Sequence, residues 1–229
     1  MFDGNWRRGV DQVVKPIGRN LHRAGITADM LTILGLLMSA AMAVVVGMGY
    51  LQLGLVLLAA TAIPDLLDGP VSKAAGTSSD RGAFFDSTAD RVTDAMLLGG
   101  IAWYLASQPG AGRISVLPFA VMASSSLISY QRAKAESLGY DAKGGLMERA
   151  ERILVLAVGL LFEGLLIPVL WVLLVATIGT AIYRFQKVWK QASKDRPTPA
   201  PRERAEWRTR RRARDQRRSS ASPRRARRS

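Results

Sequence analysis

An uncharged stretch of 35 residues, from Met30 to Pro64, limits what this chain can fold into. A single α-helix of that length would extend about 52 Å, whereas the apolar core of a membrane is roughly 30 Å thick. The stretch must therefore turn back on itself, and the sequence from Gly47 to Tyr50, with two glycines, is the best place for the turn. We expect one membrane span near residues 30–48 and a second near residues 52–68.

Further apolar segments predict four more spans. Three of them carry no charge and have about the length that a spanning helix needs, whereas one is shorter and begins with two arginines. Six spans predict an all-α integral membrane domain over residues 24–189. The four additional segments are residues 95–112, 114–131, 148–162 and 164–183.

Basic residues are unevenly divided between the two sides of this predicted bundle. The segments after the second, fourth and sixth spans carry lysines and arginines, and the turns after the third and fifth carry few. Cytoplasmic loops of membrane proteins are enriched in Lys and Arg. We therefore expect a multi-pass protein of the cell membrane with both termini in the cytoplasm.

The two ends of the chain differ in composition from the spans. Residues 1–23 mix aliphatic and basic side chains, which is typical of an amphipathic juxtamembrane helix lying on the membrane surface. Residues 190–229 contain 16 Lys/Arg and 4 Asp/Glu, a net +12 of the chain's +14, and predict a disordered basic tail. The tail suits anionic lipid head groups or a role in setting the topology, and we expect no nucleic-acid partner.

Four carboxylates lie beside these apolar segments, at Asp65, Asp68, Asp86 and Asp90. The first two are three residues apart and the last two are four apart, so each pair can share one face of a helix. The predicted topology puts all four at the cytoplasmic ends of the second and third spans. Ionised groups beside a membrane span are costly and usually functional, although helix capping or pairing with nearby basic residues is the alternative.

The side chains available restrict the chemistry of this cluster. The chain has no cysteine and one histidine, which excludes disulfides, thiolate metal sites and multi-histidine metal sites. A site made of carboxylates favours Mg²⁺ or Mn²⁺ over zinc, and two such ions can assist a displacement at phosphorus. A divalent-cation transporter would instead need acids spread along a path through the membrane, and here they collect at one end.

The segment from Asp65 to Asp90 resembles the signature of the CDP-alcohol phosphotransferases, D-x₂-D-G-x₂-A-R-x₈-G-x₃-D-x₃-D. Six of its eight fixed positions match: the four aspartates, Gly69 and Gly82. Ser72 and Lys73 replace the Ala and Arg of the signature. Lysine keeps the charge of arginine but loses its two-pronged contact with a phosphate.

This resemblance implies six transmembrane helices, a homodimer and a two-metal site open to the cytoplasm. There, an alcohol attacks the β-phosphate of a CDP-linked substrate and CMP leaves. By resemblance, Asp65, Asp68 and Asp86 are metal ligands, and Asp90 is both a metal ligand and the general base. The residues implied for CDP-diacylglycerol are Asp29, Met30, Leu31, Thr32, Gly69, Lys73 and Ser79.

The second half of the chain resembles the actinobacterial phosphatidylinositol phosphate synthases, through the segments Ser129–Glu136 and Gly144–Arg152. Those enzymes bind the phosphate of their acceptor, L-myo-inositol 1-phosphate, in a basic pocket. Arginines without compensating acids at the ends of spans, near the aspartates in this topology, also suggest an anionic acceptor, although snorkelling to lipid head groups is the alternative. These arginines are Arg132, Arg149, Arg152 and Arg184. Glycerol 3-phosphate, the acceptor of phosphatidylglycerophosphate synthases, is anionic too. The pocket residues implied are Ser129, Arg132, Arg152 and Arg184.

Overall fold

The computed structural model describes residues 16–76, 79–110, 112–145 and 147–194 of the chain, without the side chains of Lys73 and Ala74. Within these residues all regular secondary structure is helical. Short 3₁₀ turns precede the fifth and the last α-helix, at Gly112–Val116 and Glu163–Leu165. The α-helices are α1 (residues 16–23), α2 (Ala28–Gly47), α3 (Leu51–Ala75), α4 (Asp80–Ser107), α5 (Leu117–Ser137), α6 (Arg149–Leu161) and α7 (Leu166–Lys194).

Four helical segments in the described part of the chain are long and apolar enough to cross a membrane, which agrees with the predicted all-α membrane protein. Helix α4 is long but carries five charged residues in its first half. Helix α6 has 13 residues and is about 20 Å long. Six spans therefore remain a prediction. The four segments are Ala28–Gly47, Leu51–Ser72, Gly112–Ser137 and Glu163–Lys194.

The ends of α3 and α4 differ from the predicted span limits. Helix α3 continues to Ala75, and α4 begins at Asp80, well before the predicted apolar segment of residues 95–112, and ends at Ser107, within that segment. The reason is local: Ser79 caps α4 by accepting a hydrogen bond from the Gly82 backbone N–H at 3.2 Å. Charged residues indicate where a helix leaves the apolar layer. The helix itself can continue past that point, as α4 does toward Asp80.

The turn predicted after the first span is confirmed. Helix α2 ends at Gly47 and α3 begins at Leu51. Between them Gly49 has a φ of +94°, a left-handed conformation that glycine adopts without steric cost. The turn brings the C-terminal half of α3, with its aspartates, back alongside the start of α2.

Close packing of α2 against α4 sets the position of the second aspartate pair. A Cβ built on Gly100 would lie 2.6 Å from the backbone oxygen of Ala43 and 2.9 Å from its Cα. Small residues allow such close helix contacts in membrane proteins. Met42, Val46 and Ile101 are fully buried in the core cluster that these helices share.

Helix α1 packs on the back of the aspartate motif. Gly18 is buried, and a Cβ at this position would lie 2.8 Å from the Pro70 Cβ and 2.9 Å from the Pro70 carbonyl carbon. Pro70 lies two residues after Asp68 in α3. The described end of the predicted juxtamembrane helix therefore supports the segment of α3 that carries the motif.

The chain divides into a unit that ends at Val188 and a unit that begins at Trp189. The described part of the second unit, to Lys194, is helical. Residues 1–15 of the predicted amphipathic helix and residues 195–229 of the predicted tail lie outside the described residues.

We expect the Gly100→Ala variant to be less stable than the wild type. The new methyl group would meet the Ala43 backbone, which cannot move without displacing α2, so we expect a loss of about 1–3 kcal/mol in unfolding free energy. Thermal unfolding in detergent measures the effect. Gly99→Ala is the matched control, because no heavy atom lies within 4 Å of its Cβ position. Equal midpoints for the two variants would contradict the proposed tight contact.

Candidate active site

Three of the four predicted aspartates converge on one point. Carboxylate oxygens of Asp65, Asp68 and Asp86 all lie within 4.8 Å of one another, with Asp65 exposed and the other two half-buried. Helical periodicity brings about the convergence, because each pair presents its side chains on one face of α3 or α4. Oxygen ligands at this separation fit a hard divalent cation such as Mg²⁺ or Mn²⁺.

Asp90 lies one turn beyond Asp86 on α4 but is not part of this close group. Its Oδ1 atom is 2.7 Å from Nη1 of Arg149, and its Oδ2 atom is 3.7 Å from Nη2 of Arg91. Asp90 nevertheless lines the same cavity as the other three aspartates, between α2, α3 and α4. We call this the acidic cavity; Leu31, Thr32 and Arg149 also line it.

A second cavity next to it contains most of the residues implied for the nucleotide. We call it the glycine cavity, because Gly69 and Gly82 line it and neither glycine's Cβ position approaches a protein atom more closely than 3.6 Å. Asp68 and Asp86 line both the acidic cavity and the glycine cavity. The other lining residues are Ala28, Asp29, Thr32, Ser72, Ser79 and Ala83.

Not every residue implied for CDP-diacylglycerol reaches these two cavities. Met30 is 57% exposed and lines neither, because Asp29 and Thr32 lie three residues apart on one face of α2 and Met30 points away from that face. Asp29 forms an ion pair with Arg81 at 3.0 Å. The side chain of Lys73 lies outside the described part of the structure.

The four residues of the implied phosphate pocket, Ser129, Arg132, Arg152 and Arg184, all line one cavity. We call this the basic cavity. Asp90 and Arg149 line it as well, so these two residues form the boundary between the acidic and the basic cavity. The remaining lining residues are Ser87, Thr88, Arg91, Ser126, Ile128, Tyr130, Ala133, Glu136, Glu148 and Ala150.

The expectation that these arginines lack compensating partners is wrong. Arg132 forms an ion pair with Glu136 at 3.0 Å, one helical turn away. Arg152 is buried and forms an ion pair with Asp94 at 2.8 Å. Because an arginine carries five N–H donors, one or two bonds to the protein leave donors for a ligand.

Arg184 is also buried, and its partners are mainly backbone carbonyls. It donates from Nε to the Gly144 oxygen at 2.9 Å and from Nη1 to the Ile128 oxygen at 3.2 Å. Its third contact, with Glu148, is 3.9 Å long. Arg184 therefore ties α7 to α5 and to the loop before α6, in addition to lining the cavity.

The loop between α5 and α6 is held by a second basic residue of α7. Lys187 donates to Asp141 Oδ2 at 2.8 Å and to the Lys143 carbonyl at 2.7 Å. The hydrogen bond from Lys187 is the main reason that the pKa of Asp141 lies below its usual value. Gly144 and Gly145 have φ values of +98° and +129°, which strain any other residue. These contacts fix the start of α6, where Arg149 lies.

Sequence reasoning expected Arg149 near the aspartates without naming its partners, and it did not assign Arg91 and Asp94 to the site. Arg149 contacts Asp65 at 3.3 Å and Asp94 at 3.4 Å, in addition to Asp90. Arg91 donates to Ser129 and lies 3.8 Å from Asp94. A signal for Asp94 was present, because it continues the four-residue spacing from Asp86 through Asp90.

Comparison with known proteins places the chain among lipid-synthesising enzymes. A family model described as CDP-alcohol phosphatidyltransferase matches residues 25–183. A phosphatidylinositol phosphate synthase of Mycobacteroides abscessus is 35% identical over 184 residues, which cover 77% of this chain and 84% of the relative.

Solved structures of a Mycobacterium tuberculosis phosphatidylinositol phosphate synthase are similar in fold. The structure with CDP-DAG bound has a TM-score of 0.73 and 32% identity, and the match covers 78% of this chain and 94% of that one. The structure in complex with manganese and citrate has a TM-score of 0.73 and 31% identity, with 77% and 88% covered.

We expect Asp68→Asn to weaken Mn²⁺ binding by about tenfold or more, because an amide is a poorer ligand for a hard cation than a carboxylate. Electron paramagnetic resonance of Mn²⁺ added to the purified protein measures free and bound ion without relying on turnover. Asp80→Asn is the control, since Asp80 lies on the exposed first turn of α4 and outside the converging group. Unchanged Mn²⁺ affinity in Asp68→Asn would refute the metal site.

Proposed function

This chain is a member of the CDP-alcohol phosphatidyltransferase family, and we propose that it is a phosphatidylinositol phosphate synthase. It transfers the phosphatidyl group of CDP-diacylglycerol to L-myo-inositol 1-phosphate and releases CMP. The relatives with this name cover most of the chain, and a similar structure contains CDP-DAG.

One observation carries the proposal: Asp90 lines the acidic and the basic cavity at once. A phosphoryl group held in the first and an anionic acceptor held in the second would meet at its carboxylate. A general base must lie within hydrogen-bond reach of the proton that it accepts, and this position provides that reach to a hydroxyl entering from the basic cavity.

The donor would occupy the acidic and glycine cavities. Its acyl chains would lie in the bilayer beside the exposed apolar faces of the helices. Its cytidine would lie over the glycine cavity, where a ligand can approach the backbone at Gly69. Lys73, in the position of the arginine of the family signature, would offset negative charge on the departing CMP.

The donor set fits divalent metal, and we propose two Mg²⁺ ions, with Mn²⁺ as a substitute, held by Asp65, Asp68, Asp86 and Asp90. Bound metal supplies Lewis-acid polarisation of the phosphate oxygens. The similar structure solved with manganese supports a divalent metal in this site.

The proposed reaction needs one proton acceptor and one leaving group. Asp90 would take the proton of an inositol hydroxyl on Oδ2, because Arg149 already occupies Oδ1 at 2.7 Å. The hydroxyl oxygen would then form a bond to the β-phosphorus as the bond between that phosphorus and the CMP oxygen breaks. The proton stays on Asp90 until it is released to water, and CMP leaves with the electron pair.

The acceptor would be held by its phosphate in the basic cavity. Ser129, Arg132, Arg152 and Arg184 would bind the phosphate, because guanidinium groups match phosphate oxygens in geometry and charge. An acceptor held in the basic cavity has its hydroxyl close to Asp90. The attack on phosphorus then needs no separate encounter between acceptor and donor, because both are already bound in position. Glycerol 3-phosphate carries the same anionic group and is the acceptor against which the proposal must be tested.

The membrane arrangement follows the family. We propose a multi-pass cell-membrane protein in which α2 to α7 all cross, with both termini and the three cavities on the cytoplasmic side. The apolar second half of α4 and the whole of α6 would complete their spans within a locally thinner apolar layer. A homodimer is implied by the family resemblance.

We expect the purified protein to release CMP from CDP-diacylglycerol in the presence of Mg²⁺ and inositol 1-phosphate, and not with free inositol. The phosphate gives the acceptor its contact with the arginines, so free inositol lacks the main source of binding. A parallel reaction with glycerol 3-phosphate distinguishes the acceptors. Release with glycerol 3-phosphate alone would keep the family chemistry and refute the proposed acceptor.

The Asp90→Asn variant provides the test of the base in the same assay. An amide cannot accept the proton, so we expect the turnover number to fall by about 10²-fold or more. Asp80→Asn, which removes a carboxylate from the exposed start of α4, should keep wild-type turnover. Full activity in Asp90→Asn would remove Asp90 from the mechanism.

The six-span topology can be read by cysteine labelling, since the natural sequence has no cysteine. We expect Ser107→Cys, at the exposed end of α4, to react with an impermeant maleimide on intact cells. Ser137→Cys, at the exposed end of α5, should react only after the membrane is permeabilised. Labelling of both from the same side would refute six spans, and the reverse pattern would refute the orientation.

A further inference from the structure

We infer that Asp94 is a positioning residue that holds Arg152 in the wall of the basic cavity and fixes Arg149 at its boundary, so that the cavity can bind a phosphate. Asp94 lies outside the family signature and outside the converging carboxylates. Its role deepens the proposed function, because it concerns the site proposed for the acceptor's phosphate.

The contacts of Asp94 are divided between its two oxygens. Oδ2 lies 2.8 Å from Nη2 of Arg152, and Oδ1 lies 3.4 Å from Nε of Arg149. Arg91 approaches Oδ2 at 3.8 Å from the same helix. The Asp94 side chain is 15% exposed and that of Arg152 is 6% exposed, so these charges are largely removed from water. One carboxylate therefore compensates arginines from two helices.

Arg152 depends on this carboxylate more than its neighbours do. Its other described hydrogen bond is a 3.4 Å contact to the Met147 carbonyl. An arginine cannot become neutral by losing its proton, so a buried guanidinium that lost Asp94 would move or recruit another acid. With Asp94 present, the remaining N–H donors of Arg152 can face the basic cavity, which Arg152 lines.

Arg149 is held in a different way. Its Nη1 group contacts Asp90 and Asp65, whereas its Nε group contacts Asp94. Contacts to both ends fix the rotation of the guanidinium plane. Without Asp94 the group could turn toward Asp65 and into the acidic cavity, away from the basic cavity. Asp94 thus keeps one arginine shared between the two cavities.

The test compares binding of an anion with binding of the donor in the full-length protein in detergent. Inorganic phosphate and inositol 1-phosphate are titrated by thermal shift, and KM is measured for each substrate. We expect Asp94→Asn to weaken binding of both anions and raise the KM for inositol 1-phosphate by about tenfold, since charge-assisted pairs orient the arginines. The KM for CDP-diacylglycerol should change less than about twofold.

Two further variants show whether Asp94 acts through Arg152. Arg152→Gln should weaken phosphate binding by itself, and adding Asp94→Asn should weaken it by less than about threefold more, because coupled residues are not additive. Asp80→Asn should bind phosphate as the wild type does. If the loss of phosphate affinity in the double variant equalled the product of the two single losses, action of Asp94 through Arg152 would be refuted.

The outcomes separate this inference from the proposed function. Wild-type protein that binds phosphate but releases no CMP with inositol 1-phosphate would refute the proposed acceptor and leave the Asp94 comparison intact. Unchanged phosphate binding in Asp94→Asn, or an equal rise in both KM values, would overturn the inference. Wild-type protein that binds no phosphate would overturn both.

If the Asp94→Asn variant does not fold, the Asp94→Glu variant replaces it in the same binding and KM measurements. The longer carboxylate keeps the charge but displaces the guanidinium groups, so we expect anion binding about threefold weaker and an unchanged KM for CDP-diacylglycerol. Wild-type anion binding in a folded Asp94→Glu variant would contradict a positioning role.

Discussion

Compensation of charge at the end of an apolar bundle is the constraint on which the rest of this structure depends. Carboxylates and guanidinium groups that leave water must be paired, because the cost of removing each ion from water is several kcal/mol. Arg149 meets this need for three aspartates from two helices, at Asp65, Asp90 and Asp94. These pairs fix the first turn of α6 against α3 and α4. The boundary between the acidic and basic cavities is therefore also the place where ion pairs join α3, α4 and α6.

Much of the acidic cavity could be predicted from the sequence because it depends on local periodicity. Spacings of three and four residues place side chains on one helix face whatever surrounds the helix. The glycine turn after α2 then returns α3 alongside α2, and α4 packs against α2 as well. The contacts of Arg149 could not be predicted in this way, because its partners Asp94 and Asp65 are 55 and 84 residues away along the chain. Which face of α6 meets them is decided by packing.

The errors in the prediction share a physical cause. The sequence indicated arginines without partners because their acids come from elsewhere: Asp94 lies 58 residues from Arg152. Helix α4 begins before its predicted apolar segment because it continues through its charged first half, where the functional groups lie. A charge-free segment indicates which part of a chain can lie in the apolar layer, whereas the helix that contains it can extend beyond that layer. Met30 adjoins Asp29 along the chain, but helical rotation takes its side chain out of both cavities.

Arginines that are already bound to the protein suit an acceptor site better than free ones would. An unpaired arginine loses rotational freedom when it binds a phosphate, and that loss lowers the affinity. Arg184 is held by two carbonyls and Arg152 by a carboxylate, so the cost of ordering them is met when the protein folds. Arg132, which pairs with Glu136 within the described part of the chain and is about half exposed, keeps the freedom to follow the ligand. A site with two fixed arginines and one adaptable one can hold a phosphate in one place while the attached alcohol is oriented toward Asp90.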